Sequence, residues 1–175
     1  MLFCESDTGY KKICIWKDEM PFAYTGKVYE SFNVNAGSSI WHTGMICIEA
    51  KLNPRHISNY ALICMRYVKN FHNQTEIVIH SGKEEIGFAS YVLPLNKCIS
   101  VGLNKEFASC IKEIFMEYPH KNMPCGTIEI LCGGYDEVSS SKMSFKKVIE
   151  LLVFTFKNID KMTDDELQNK LLLLL

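Results

Sequence analysis

The stretch ICMRYVKNFHNQTEIVIHSG, positions 63–82, holds two residues of types that do nucleophilic chemistry: Cys64 in one apolar run and His80 closing the next. A free thiol is mostly protonated near neutral pH. An adjacent imidazole can take that proton, leave a thiolate, and later return the proton to a leaving group. Alternate residues of a strand share a face, which groups Leu62, Cys64, Arg66 and Val68 on one run and Glu76, Val78 and His80 on the other. Joined as an antiparallel hairpin through KNFHNQT, the runs pair Val68 with Glu76, Arg66 with Val78, and Cys64 with His80. Directly opposed side chains have Cβ atoms about 5 Å apart, within reach of a thiol–imidazole contact. A one-residue slip would send the two to opposite faces. The hydroxyl or carbonyl of Ser58, six residues before Cys64, is the candidate third group to orient the histidine. The bland alternative is a core cysteine, a hydrogen-bonded histidine and a loop serine.

The elements that must position these residues read as strands first and helices later. ICIW (13–16), GKVYESFNV (26–34), GMICIEAKL (44–52), NYALICMRYV (59–68) and TEIVIHSG (75–82) are short apolar runs separated by turn chemistry such as NAGSS and NPRH. A less regular stretch, IGFASYVLPL, follows. Phe107, Ile111, Ile114, Phe115 and Tyr118 recur at helical spacing, predicting a helix from about Asn104 to Tyr118 with Pro119 as the stop. GTIEILCGG then reads as a strand with Ile128, Ile130 and Cys132 on one apolar face, which makes Cys132 a core residue. Its Gly133-Gly134 end would let a backbone or a substrate come close. A serine-started helix carries the stripe Phe145, Val148, Ile149, Leu152 and Phe156. Thr163 to Glu166 has capping-box form and opens a last helix into LLLLL, expected to dock on the domain or to mediate self-association. The expectation is one α/β-type (α+β) domain over residues 1–175, strand-rich, with mostly antiparallel sheets or a sandwich flanked by two to three helices.

Composition narrows the function. With 47% hydrophobic and 22% charged residues the chain can bury a real core. A formal net charge of −1 and only two arginines, Arg55 and Arg66, argue against a nucleic-acid surface. No apolar run approaches the roughly 18 residues needed to span a bilayer. The eight cysteines include no CxxC and no zinc-finger spacing, so neither a metal nor another cofactor is expected. The start MLFCESDTGYKK lacks the form of a secretory signal. Reduced thiols in the cytoplasm are the expected state, with a signal-less route of secretion left open.

The stretch from about His56 to Phe156 resembles the cysteine deamidase superfamily. That group includes the chemoreceptor glutamine deamidases, the cytotoxic necrotizing factor catalytic domains and the protein N-terminal asparagine amidohydrolases. A strand cysteine, Cys64, is followed by a strand-end histidine in IVIHSG. A hydroxyl residue, Ser58, stands six positions before the cysteine. PCGTIEILCGGYDEVSSSKMSFKKVIELL is similar to the asparagine amidohydrolase pattern. The resemblance implies a protein deamidase in which the Cys64 thiolate attacks a side-chain carboxamide of Asn or Gln. His80 then protonates the departing ammonia, and water hydrolyses the thioester. It favours an N-terminal asparagine substrate, whose α-ammonium Glu76 or Asp136 would receive beside Gly133 and Gly134. The alternative is a glutamine deamidase effector acting on a folded protein. From another class comes a non-catalytic binding or immunity-type module on the same fold. Leu62-Ile63, which stand where those enzymes place Gly and Ser before the nucleophile, favour this last reading. His42 near Cys47 is the next pair, whereas His56, His72 and His120 are expected in loops.

Overall fold

A computed structural model of the chain describes residues 1–24, 26–52, 60–70, 73–82, 85–94 and 97–175, with the side chains of residues 85 and 86 left aside. Its strands are β1 (Leu2–Glu5), β2 (Lys12–Lys17), β3 (Lys27–Asn35), β4 (Gly44–Lys51), β5 (Tyr60–Lys69), β6 (Gln74–Ser81), β7 (Glu85–Ala89), β8 (Cys98–Val101) and β9 (Gly126–Tyr135). The helices are α1 (Lys105–Glu117), α2 (Lys142–Asn158) and α3 (Asp164–Leu174). All the runs read as strands from the sequence are strands, and the three helices stand where periodicity and capping put them. Strands β1, β7 and β8 come in addition.

The strands join in one sheet of order β1-β2-β4-β5-β9-β6-β3, and the β7–β8 hairpin is attached through β8 to β9. Every pairing is antiparallel except β6 with β9. This is the expected α+β, mostly antiparallel architecture. The expected β5–β6 hairpin does not form: β9 lies between them, paired antiparallel to β5 and parallel to β6.

Three helices cover one face of the sheet. Helix α2 lies across β4 and β5, α1 packs on α2 and β6, and α3 packs on α2 and β1. The stripe Phe145, Val148, Ile149, Leu152 and Phe156 is buried against Ile46, Ile48, Ile63, Met65, Ile77, Ile79, Ile128 and Ile130. Each such side chain stabilises the fold by roughly 1.5–3 kcal/mol. The Thr163–Glu166 capping box is present, and Leu167 and Leu171 seat α3 on the domain while Leu173 stays 78% exposed. Docking of the leucine-rich tail is therefore what α3 does. Among the described residues no helix is long and apolar enough to cross a membrane.

The other face is covered only in part. Over β2, β4, β5 and β9 the cluster Cys14, Trp16, Cys47, Tyr60, Leu62, Cys64 and Cys132 is buried with Phe88, Val92, Leu93, Ile99 and Val101 from the β7–β8 hairpin and with Met20 and Phe22 from the segment after β2, where Cys47 Sγ donates to the Glu19 carbonyl at 3.5 Å. Towards β6 and β3 this face opens, and its residues turn polar: Arg66 is bridged to Glu129, and Glu76 accepts from Ser31 and Thr127.

Candidate functional site

Strand β5 is buried along most of its length because it is central in the sheet and carries apolar residues on both faces. Cys64 falls on the face under the hairpin and is fully buried. Its cross-strand partners are Cys47 on β4 and Cys132 on β9. The nearest reactive group to this thiol is thus a thiol on either side. Burial pushes the Cys64 thiol well up, and the neighbouring Cys47 and Cys132 add to the rise. Burial likewise raises Cys132, and it pushes Cys14 up to about 12. All eight cysteines are free. Thiols of this kind stay protonated near neutral pH and behave as small core residues.

His80 is the penultimate residue of β6, paired with Val28 of β3. Ile77 and Ile79 point to the helices, so alternation turns His80 to the face that Cys64 occupies. The parity read from the sequence is right and the adjacency is not. With β9 intervening, the backbones of β5 and β6 stand two interstrand spacings apart, roughly 10 Å. The Cys64–His80 dyad is therefore not assembled. His80 packs its Cβ against Gly26, and its Nε2 is buried without a hydrogen-bond partner among the described residues. Ser58, His56 and His72 lie outside the described residues, and with them the proposed orienting hydroxyl.

The residues expected around a substrate scatter. Glu76 holds Ser31 Oγ at 3.0 Å and Thr127 Oγ1 at 3.2 Å on the open part of the sheet. It lines a polar cavity of about 350 Å³ with Asn33, Asn70, Asn73 and Gln74. Asp136 follows the far end of β9, nine residues beyond Thr127 and so roughly 30 Å along the strand. There its carboxylate binds Lys97 at 2.6 Å and accepts from the backbone and hydroxyl of Ser139. Burial works against its charge, but Lys97 and Ser139 prevail and hold its carboxyl below the ordinary range. Asp136 therefore organises the turn into α2. Ser139 and Ser140 of that turn bond the backbone of Tyr60, at the start of β5.

Gly133 and Gly134 do admit a close approach, and the chain's own side chains make it. A Cβ on Gly133 would stand 2.5 Å from Leu103 Cδ2, and one on Gly134 would stand 2.7 Å from Ile99 Cδ1. Cys132 is core, as expected, on the other face from Ile128 and Ile130. A bulge at the Cys64/Met65 register shift inserts Leu131 and turns Cys132 away from the helices.

One group escaped the sequence reading. Glu49 is fully buried among the thiols, where Oε1 accepts the Tyr60 hydroxyl at 2.8 Å and Oε2 the Tyr91 amide at 3.1 Å. Burial raises its carboxyl above the ordinary range, against the pull of Ser90, Tyr60 and Tyr91. The signal was present in GMICIEAKL: Glu49 shares the Cys47 face, an acid where alternation demands burial. His42, named from the sequence as the next pair with Cys47, precedes β4 instead of lying on it. Its Nδ1 meets Asp160 at 2.7 Å beyond the end of α2, and its Nε2 is buried without a hydrogen-bond partner among the described residues. His120 is exposed, as expected. Among the described residues no group of three or more His, Cys, Asp or Glu could hold a metal ion.

No family model, curated protein or solved structure matches this chain.

Proposed function

We propose that this chain is a non-catalytic binding module for a protein partner. One observation carries the reading: Cys64 is sealed between Cys47 and Cys132, with β9 standing between it and His80. A nucleophile needs access and a base within hydrogen-bond reach, and among the described residues this buried thiol has neither. The surface best suited to a partner is β3. It ends the sheet as a nine-residue strand, with Val28 60% and Tyr29 36% exposed. Its outer backbone groups suit the addition of an extended segment as a further strand.

Ammonia release from Asn- and Gln-containing peptides, including peptides with N-terminal Asn, tests the proposal. Wild type and Cys64→Ala should both match the peptide blank. Release by the wild type that is lost in Cys64→Ala would overturn it.

A second reading, the cysteine-dependent Asn or Gln deamidase with a thioester intermediate, draws support from His80. Its Nε2, buried without a hydrogen-bond partner among the described residues, belongs to a side chain on the face that Cys64 shares. That reading requires the two strands to change neighbours or a water to span the gap, and it calls for the same ammonia measurement.

A further inference from the structure

We infer that Cys47 and Cys64 are a disulfide site, a cross-strand pair placed to close a bridge between β4 and β5 when the chain folds in the presence of a small-molecule disulfide. The inference stands whichever functional reading holds, since it concerns a covalent state of the core and not a partner or a substrate.

Two cysteine pairs are directly opposed among the described residues, Cys47 with Cys64 and Cys64 with Cys132. The backbone tells them apart. Each residue of an antiparallel strand turns its N–H and C=O to one neighbour, and successive residues alternate. The Asp18 amide donates to the Met45 carbonyl at 2.7 Å, continuing the register in which Trp16 faces Cys47. Met45, and with it Cys47, therefore turns its backbone to β2 and away from β5. Cys47 and Cys64 are thus a non-hydrogen-bonded pair.

The far side of the rung agrees. The Gly102 amide donates to the Gly133 carbonyl at 2.8 Å, continuing the β8–β9 register. Gly133 turns to β8, so Cys132 turns to β5 and makes a hydrogen-bonded pair with Cys64. Opposed Cβ atoms stand about 4.5–5.5 Å apart, closer in non-hydrogen-bonded pairs, and a disulfide asks for about 3.5–4.5 Å. Cys47 is therefore the better placed partner, and the bulge at Cys64/Met65 disturbs the pairing on the Cys132 side alone. Cys47 Sγ donates to the Glu19 carbonyl at 3.5 Å, a long contact that closing the bridge gives up.

The rung is fully buried in the folded chain. The exchange therefore belongs to the folding chain, whose open thiols ionise in their ordinary range, and folding then seals the product. With oxidised glutathione, one cysteine thiolate attacks a glutathione sulfur, the S–S bond breaks and a glutathione thiolate leaves. The second cysteine thiolate attacks the first cysteine's sulfur and releases the other glutathione. Two thiols lose two electrons and two protons, and one oxidised glutathione becomes two of the reduced form.

The test is refolding of the full chain from urea in a glutathione redox buffer, with free thiols then blocked and the folded fraction mapped without reduction. The linked peptides should join Cys47 to Cys64, with Cys132 blocked as a thiol. The bridged chain should show an unfolding constant in urea roughly ten- to a hundredfold below that of the reduced chain, as a loop of this length predicts. Cys132→Ala should keep the bridge, and Cys47→Ala should not replace it by one from Cys64 to Cys132. A folded fraction that stays unbridged in excess oxidised glutathione would overturn the inference. So would one that joins Cys64 mainly to another cysteine, or a bridged chain less stable than the reduced one. The wild-type map decides even if a variant fails to fold. Ammonia release is a separate readout, so failure of the bridge and failure of the binding reading are told apart.

Discussion

Cys64 and Cys132 are direct cross-strand partners on β5 and β9, with Cys47 opposite Cys64 on the other side. That rung lines up three cysteines across three adjacent strands. Burial raises the Cys64 and Cys132 thiols, and the nearby Cys47 adds to the rise at both.

A packing role for Cys64 has a measurable consequence. Cys64→Ala removes one buried heavy atom and should cost about 1–2 kcal/mol, as small core truncations do. Cys64→Ser replaces a weakly polar sulfur by a hydroxyl among apolar neighbours and should cost at least as much, about 1–3 kcal/mol. Urea unfolding followed by circular dichroism measures both. Loss of an amidase activity with full stability retained would show instead that the thiol is kept for chemistry.

Capping of α3 is open to a direct test. Thr163 Oγ1 accepts the Glu166 amide and the Glu166 carboxylate accepts the Thr163 amide at 2.9 Å, so two otherwise unpaired donors are satisfied. Thr163→Ala should cost about 1 kcal/mol. Leu171→Ala, which empties the buried seat of the same helix, should cost about 2–4 kcal/mol. If α3 docks as described, limited proteolysis should cut the C-terminal segment sooner in both variants. Unchanged cleavage would mean that α3 contributes little.

What could be read from the sequence was local. Phe145, Val148, Ile149, Leu152 and Phe156 announced the buried face of α2, and Thr163 with Glu166 announced the start of α3, because helix signals lie within a few residues of one another. The grouping of Leu62 with Cys64, and of Val78 with His80, also held, since alternation belongs to a single strand. Which strands become neighbours is set by contacts distant along the chain. Nothing between Tyr60 and Ser81 says that Gly126–Tyr135 will enter between β5 and β6. The bulge at Leu131 is equally silent, and it moved Cys132 to the opposite face from Ile128 and Ile130. The candidate site failed at these non-local steps.

Asp136 gives a pH prediction of one sign. Its carboxyl is held below the ordinary range, near 3.8, because Lys97 and Ser139 outweigh the cost of burial. A lowered native pKa contributes stability that is present above the unfolded value and is lost as pH falls through the native one. Asp136→Asn should therefore cost about 1–2 kcal/mol near neutral pH, where the charged hydrogen bonds are complete. The gap between variant and wild type should close as the pH is taken below about 3.8. A gap that stays constant on acidification would assign the loss to the shape of the turn alone.

Glu49 gives the opposite sign. Burial raises its carboxyl above the ordinary value near 4.5, with Ser90, Tyr60 and the Tyr91 amide pulling back. A raised native pKa means that the contribution is fully present below about 4.5 and is lost as pH rises through the native value. Cys14 on β2 and Tyr60 on β5 are the titratable groups facing it, and burial raises both, so neither carries a charge to offset that of Glu49 near neutral pH. Glu49→Gln keeps the shape and cannot ionise. Its urea midpoint should gain on that of the wild type as pH rises above about 4.5, until the raised native value of Glu49 is passed. The absolute offset between the two proteins reflects how well an amide serves Tyr60 and Tyr91, and the slope isolates the charge. A pH-independent offset would mean that this carboxyl stays ionised in the fold and that its three donors outweigh burial.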